Sequence, residues 1–248
     1  MGFFNSKIKR PNLMKINDDK RYEFIEKWWS IKPEERLSLV SSILDNSNIS
    51  YPTITNLADH KSTKPHIIKA YNLEDDIKKG DLTDLEMYSE SMEDPSISML
   101  LELLIPERKV TIPSEPFSEI IDLSEVVYVY PEIWINMLNL IGIKLNYDNF
   151  NIKIDGKKPD LSASPKFKKI IIEFNYKNKT YSYKYKRHWV YSDVIDFDII
   201  KDVEKFYAKN NIENFLMKAE GGEFDANYFL LPSAAIEEFD KYIDHIGY

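Results

Sequence analysis

The hydrophobic positions of the N-terminal part recur with a helical period. Tyr22, Ile25 and Trp29 lie at helical spacing, and a second stripe follows at Leu37, Val40 and Leu44. A proline and two glutamates precede the second stripe, as is typical of a helix start. The pattern predicts a helical hairpin in this part of the chain.

The middle of the chain has weaker signals. Residues 47–94 are polar and aperiodic, which indicates a linker or a loosely packed segment. Asp94 and Pro95 then suit the cap and first position of a short helix that ends before Pro106. The run 125–130 is typical of a strand, and Pro131 is typical of the start of a helix. Residues 143–154 predict one or two further strands.

In the C-terminal third the apolar residues alternate with a period of two. A turn at residues 177–179 separates two such runs, which predicts a β-hairpin with Ile170, Ile172, Phe174 and Tyr176 on one strand and Tyr181, Tyr183 and Tyr185 on the next. A helix capped by Asp193, a second strand pair and a closing helix follow. The order predicts an α+β fold, with one antiparallel sheet and helices packed on one face. We expect a helical N-terminal region with a polar connector at 1–94 and an α+β domain at 95–248.

The amino-acid composition excludes several classes of protein and of functional site. The chain has 248 residues, 43% hydrophobic and 30% charged, and no cysteine. The absence of cysteine excludes disulfides, zinc-thiolate sites and a cysteine nucleophile, and fits a reducing compartment. No stretch approaches the roughly 18 apolar residues of a membrane span. We therefore expect a cytoplasmic protein without a membrane segment, and no motif indicates a cofactor or a metal site.

Charge is segregated along the chain. Its formal net charge is −8, but residues 71–125 are strongly acidic and residues 157–189 strongly basic. Such separation favours a surface that meets a charged macromolecule. An acidic face can cover a basic site on a protein partner, and the candidate contacts are Glu74, Asp75, Asp76, Glu86, Glu90, Glu93 and Asp94.

The basic region offers an alternative. Pro159 and Asp160, followed by Glu173, partly resemble the core of metal-dependent nucleases, in which two carboxylates hold Mg²⁺ and a lysine stabilises developing charge. The lysine position of that core holds Asn175, although Lys177 follows on the same strand face. Asp160, Glu173 and Lys177 are therefore the candidate residues for a nuclease-like or nucleic-acid-binding function.

Strand parity weighs against base stacking by the hairpin. Single-strand binding sites place aromatic side chains beside the cations that meet phosphates. Here Tyr181, Tyr183 and Tyr185 share one face, whereas Lys184 and Lys186 share the other with Glu173. We expect the aromatic face to be core and the lysine face to be solvated, which makes nucleic acid a less favoured partner than protein.

The C-terminal part resembles a known class of proteins. The run from Phe174 to Tyr183, then Trp189 and Tyr191, and the run Gly-Gly-Glu-Phe-Asp-Ala-Asn-Tyr-Phe-Leu-Leu-Pro at 221–232 are similar to small bacterial immunity proteins of polymorphic toxin systems. The resemblance covers about the last 80 residues and is one of architecture and composition. It implies a non-enzymatic module that binds and neutralises one toxin, and it assigns no site residues.

Overall fold

The fold is α+β, as the sequence predicts. The computed structural model describes residues 26–57, 59–113, 123–159, 169–186, 198–219 and 225–242. Residues 26–29, the described part of the first predicted helix, are helical. The further α-helices in these ranges are α1 Pro33–Asn46, α2 His60–Ala70, α3 Glu74–Lys78, α4 Thr83–Ser91, α5 Ile97–Leu104, α6 Leu123–Asn139, α7 Asp198–Lys209 and α8 Ser233–Phe239. The strands are β1 Lys109–Pro113, β2 Phe150–Ile154, β3 Lys169–Tyr176, β4 Lys179–Lys186, β5 Asn214–Ala219 and β6 Asp225–Pro232.

These strands form two three-stranded sheets, so the prediction of one sheet is wrong. One sheet has the order β2-β3-β4 and the other the order β1-β6-β5. Both predicted strand pairs exist and are antiparallel, with Tyr176 opposite Lys179 next to the first turn and Asn214 opposite Pro232 in the second pair. Alternation in the sequence identifies hairpins, but it carries no information on which further strand joins each of them.

Two compact units divide the chain, and neither follows the expected boundary between residues 94 and 95. The first, which we call the N-terminal unit, comprises Met1–Lys109, Glu213–Gly221 and Asn227–Tyr248, and the second, the central unit, comprises Val110–Ile212 and Gly222–Ala226. The N-terminal unit thus takes up β5, most of β6 and α8 from the far end of the chain. Its core joins residues from α1 and α5 with Phe215, Phe229 and Phe239.

Residues 47–94 are not a linker. They contain α2, α3 and α4, and their apolar side chains Ile67, Leu73, Leu85 and Met92 are buried in the core of the N-terminal unit. Each of these helices is short and contributes few apolar residues, so no stripe is long enough to stand out by periodicity. Burial against the rest of the unit supplies the stability that the isolated helices lack.

Two element boundaries also differ from expectation. The short helix α5 is capped by Ser96, whose side chain accepts a hydrogen bond from the Met99 amide, and not by Asp94. Residues 125–130 belong to the helix α6, which continues through Pro131, although their valines favour a strand. Tyr130 in this stretch stacks on Tyr185 of β4, with ring centroids 5.3 Å apart. Tertiary packing here overrides the local β-propensity.

The central unit is built on the predicted hairpin. One face of its sheet is apolar, and Phe174 and Tyr183 pack against Trp134 of α6 and Phe206 of α7. The Trp134 indole N–H donates a hydrogen bond to the Tyr185 hydroxyl at 3.0 Å. The expected aromatic core of the hairpin is confirmed, while Asp193, Trp189 and Tyr191 lie outside the described residues.

Candidate functional site

The acidic residues of α3 are partly neutralised by their own helix. The Asp75 carboxylate lies 2.9 Å from the Lys78 ammonium and the Asp76 carboxylate 3.4 Å from that of Lys79, both pairs being three residues apart. Such exposed pairs contribute little energy, but they reduce the net charge that an approaching partner meets. Glu74, at the start of α3, is exposed and has no cationic partner among the described residues.

Asp94 has a structural partner. Its carboxylate accepts a hydrogen bond at 2.6 Å from the guanidinium of Arg36, which is 2% exposed. The same guanidinium also donates to the Ile31 and Pro95 carbonyls. Asp94 therefore balances a buried cation that connects α1 with the start of α5, and it contributes less to a binding surface than its sequence position indicates.

The three remaining candidates share one face of α4 and the turn after it. Glu86, Glu90 and Glu93 follow one another at spacings of four and three residues, which places them in a row along the helix. All three are exposed, and none has a cationic partner in the part of the chain that the structure describes. The opposite face of this segment carries Leu85 and Met92, which are buried. Burial of that face fixes the acidic row toward solvent.

Two large apolar side chains border this row. Leu82, four residues before Glu86, is 41% exposed, and Met87, directly after Glu86, is 49% exposed. We define the α4 surface as Leu82, Glu86, Met87, Glu90 and Glu93. Methionine is enriched at the centres of protein interfaces, whereas glutamate is more common at their polar rims.

The nuclease-like candidates are not brought together as a site within the described residues. Asp160 lies outside those residues. Glu173 accepts hydrogen bonds from Lys153 at 2.7 Å and from Asn151 at 2.8 Å on the neighbouring strand. The hydrogen bond from Lys153 is the main cause that lowers the pKa of Glu173. Lys177 is in the turn, with its ammonium 5.1 Å from the ring centre of Tyr176.

Metal binding finds no support in the described ranges. No group of three or more His, Cys, Asp or Glu side chains converges there. Glu173, the one described carboxylate of the nuclease-like set, already forms a salt bridge with Lys153. Lys153 is a contact that the sequence did not indicate, because it depends on which strand lies next to β3.

The solvent face of the central sheet is basic, as strand parity predicts. Lys184 of β4 is exposed and pairs with Ile171 of β3. Lys153 of β2 pairs with the same residue from the other side of β3. Tyr183 and Tyr185 on the other face are buried. The described residues therefore separate the cations from the aromatic rings, which leaves no stacking platform beside the lysines.

A buried polar cluster around Glu102 was not foreseen from the sequence. The Glu102 carboxylate, in α5, accepts a hydrogen bond from the Asn227 side chain at 2.6 Å and lies 3.6 Å from the Lys109 ammonium. Burial, and then the proximity of Glu102, raise the pKa of Tyr71. In the sequence, this cluster is indicated only by Glu102, the one acidic residue in the mostly apolar run 97–105. Its polar atoms have partners, so the arrangement holds α5 in place.

Comparisons with known proteins returned no relative. The chain matches no protein-family model, no curated protein and no solved structure. Among the described helices, none is long and apolar enough to cross a membrane.

Proposed function

We propose that this chain is a non-enzymatic protein-binding module whose α4 surface binds a basic protein, and that the partner is a toxin that the chain neutralises in the cytoplasm. The observation that carries this proposal is the row Glu86, Glu90 and Glu93, which is exposed beside Leu82 and Met87 and has no cationic partner among the described residues. The resemblance of the C-terminal part to immunity proteins supports the choice of a toxin.

The charged and the apolar residues of the α4 surface have different roles. Carboxylates that are not neutralised within their own molecule attract a basic partner and accelerate its association. Apolar side chains that become buried on binding slow dissociation, because they lose contact with water only in the complex. A toxin that acts on nucleic acid has a basic active site, and an acidic surface can cover it.

The test uses the purified product of the gene that adjoins this one in the native genome. We expect E86K/E90K to slow association measured by stopped flow by about tenfold or more, with the difference shrinking at high salt. We expect L82S/M87S to leave the association rate nearly unchanged and to speed dissociation. In cells that express the neighbouring gene, the wild-type chain should restore growth and E86K/E90K should not.

The matched control is E237K/E238K, which changes the net charge by the same amount on the exposed face of α8. If this control slows association as much as E86K/E90K, only overall charge matters and the α4 surface is not the contact. If neither the neighbouring product nor its toxicity is affected by the wild-type chain, the neutralising role is refuted.

A further inference from the structure

A second feature of the N-terminal unit is a cleft of about 800 Å³ beside α1. One wall is a polar stripe of α1 in which residues recur at spacings of four, three and four: Glu34, Ser38, Ser41 and Asp45. The opposite wall is formed by residues 48–55, which follow α1 and belong to no helix or strand. We call this feature the α1 cleft.

Within the described residues, the backbone amides and carbonyls of the segment 50–55 form no hydrogen bond with other backbone groups. Pro52 has no backbone N–H, so this segment offers donors on either side of that residue. The Tyr51 hydroxyl donates to the Ser41 carbonyl at 3.3 Å, and the buried side chains of Ile49 and Ile54 anchor the segment to the core. Ser50, Thr53 and Thr55 are exposed. A fixed segment with open donors and acceptors is a template on which a second chain can form main-chain hydrogen bonds.

The two carboxylates of the cleft lie near its ends. Glu34 and Asp45 are eleven positions apart in α1, which corresponds to roughly 16 Å along the helix axis. Both are exposed, and neither has a cationic partner among the described residues. An extended peptide advances about 3.3 Å per residue and points alternate side chains to opposite faces, so two basic side chains on one face, four or six positions apart, bracket this spacing.

We infer that the α1 cleft binds an extended segment of the protein partner that carries two basic side chains on one face, four or six residues apart. Glu34 and Asp45 bind the cations, the backbone of 50–55 pairs with the backbone of the segment, and the serines of α1 favour small polar side chains between the cations. This inference rests on the proposed function, since it adds a second contact to the same acidic protein-binding unit.

The test uses the full chain and a fluorescein-labelled synthetic peptide with two lysines six positions apart and serine, threonine and valine between them. We expect saturable binding in fluorescence anisotropy, and chemical-shift changes at the amides of residues 50, 51 and 53–55. E34Q/D45N should weaken binding by about tenfold, while E35Q, on the same helix but outside the cleft, should leave it unchanged.

Changes in the peptide test the same site without altering the protein. Replacing both lysines by norleucine should abolish binding, and N-methylation of alternate backbone amides should weaken it by about tenfold or more, because it removes main-chain donors. The inference is overturned if the N-methylated peptide binds as well as the parent, if spermine competes as strongly as the peptide, or if E34Q/D45N has no effect.

The two proposals fail separately. A neighbouring gene product that does not bind refutes the proposed function, whereas the synthetic peptide reports on the α1 cleft alone. Conversely, loss of peptide binding leaves the E86K/E90K result on the α4 surface intact.

Discussion

At the scale of single residues, Arg36 shows how a buried charge is stabilised. Its guanidinium donates hydrogen bonds to the carbonyls of Ile31 at 2.8 Å, Pro95 at 3.2 Å and Trp29 at 3.3 Å, and to the Asp94 carboxylate at 2.6 Å. A planar group with several donors can satisfy all four acceptors at once, which an ammonium cannot do. This one side chain therefore ties the start of α1 to the turn before α5.

Arg36→Met should lower the free energy of unfolding by about 2–4 kcal/mol, because three buried or partly buried carbonyls and a carboxylate each lose a charged donor. Asp94→Asn should cost about 1 kcal/mol or less, since the Asp94 side chain is 66% exposed and the carbonyls still accept from Arg36. Urea denaturation measures both values. Lys61→Met, at an exposed position of α2, serves as the control. Equal stability of Arg36→Met and the control would contradict the structural role.

At the scale of elements, the turn of the β3–β4 hairpin has an unusual backbone. Lys177 has a φ of 47° and Asn178 a φ of 59°, and the strands resume pairing at Tyr176 and Lys179. Two successive residues with positive φ match the right-handed twist of the flanking strands, and asparagine and glycine are preferred at such positions. The sequence predicted a three-residue turn here, and the structure shortens it to two.

The double substitution K177N/N178G should raise the free energy of unfolding by about 0.5 kcal/mol, since both new residues favour the left-handed region. Lys177→Val should lower it by about 1–2 kcal/mol, because a β-branched residue is strained there. Thermal and urea denaturation compare the variants with Lys179→Val, which lies in the strand. A Lys177→Val variant as stable as Lys179→Val would show that the turn tolerates another geometry.

At the scale of the whole molecule, buried tyrosines connect stability to alkaline pH. Burial is the main cause that raises the pKa of Tyr71 in the N-terminal unit and of Tyr207 in the central unit. The Tyr207 hydroxyl donates to the Met137 carbonyl. Because the pKa of each group is higher in the folded than in the unfolded state, their contribution to stability is complete below the unfolded pKa near 10 and is lost as the pH rises above it.

We expect the free energy of unfolding to be insensitive to these tyrosines up to about pH 9 and to fall above about pH 10. Tyrosinate absorbance should then rise together with the loss of helical circular dichroism. Tyr207→Phe should make the alkaline decline less steep, whereas Tyr128→Phe, at a side chain that is 52% exposed, should not change it. Ionisation of all tyrosines before any unfolding would contradict the raised pKa of the half-buried Tyr71 and the buried Tyr207.

Much of the local structure could be predicted because it depends on neighbours in sequence. The stripe of α1, the hairpin with its apolar and basic faces, and the closing strand pair and helix all follow from periods of 3.6 and 2. The helices α2 to α4 and the first half of α6 could not be predicted, because their short or β-branched runs become helical only when they are packed.

The candidate sites divide in the same way. The sequence located the acidic residues, but it could not show that Asp75, Asp76 and Asp94 have cationic partners. Nor could it show that Glu86, Glu90 and Glu93 have none in the part of the chain that the structure describes. Nor could it show that Glu173 meets Lys153, since that contact requires β2 beside β3. A count of charged residues gives the sign of the net charge of a region. The charge that is not neutralised by an ion pair depends on the distances between side chains of opposite charge.

By itself, the sequence determined the α+β class, the alternating hairpin and the separation of acidic from basic segments, because hydrophobic period and charge are properties of consecutive residues. Only the tertiary structure decided that two sheets form, that strands from the end of the chain complete the N-terminal unit, and that Glu102 and Arg36 are buried. The physical reason is that burial and pairing between distant segments depend on the free energy of the whole fold, to which every segment contributes and which no local pattern records.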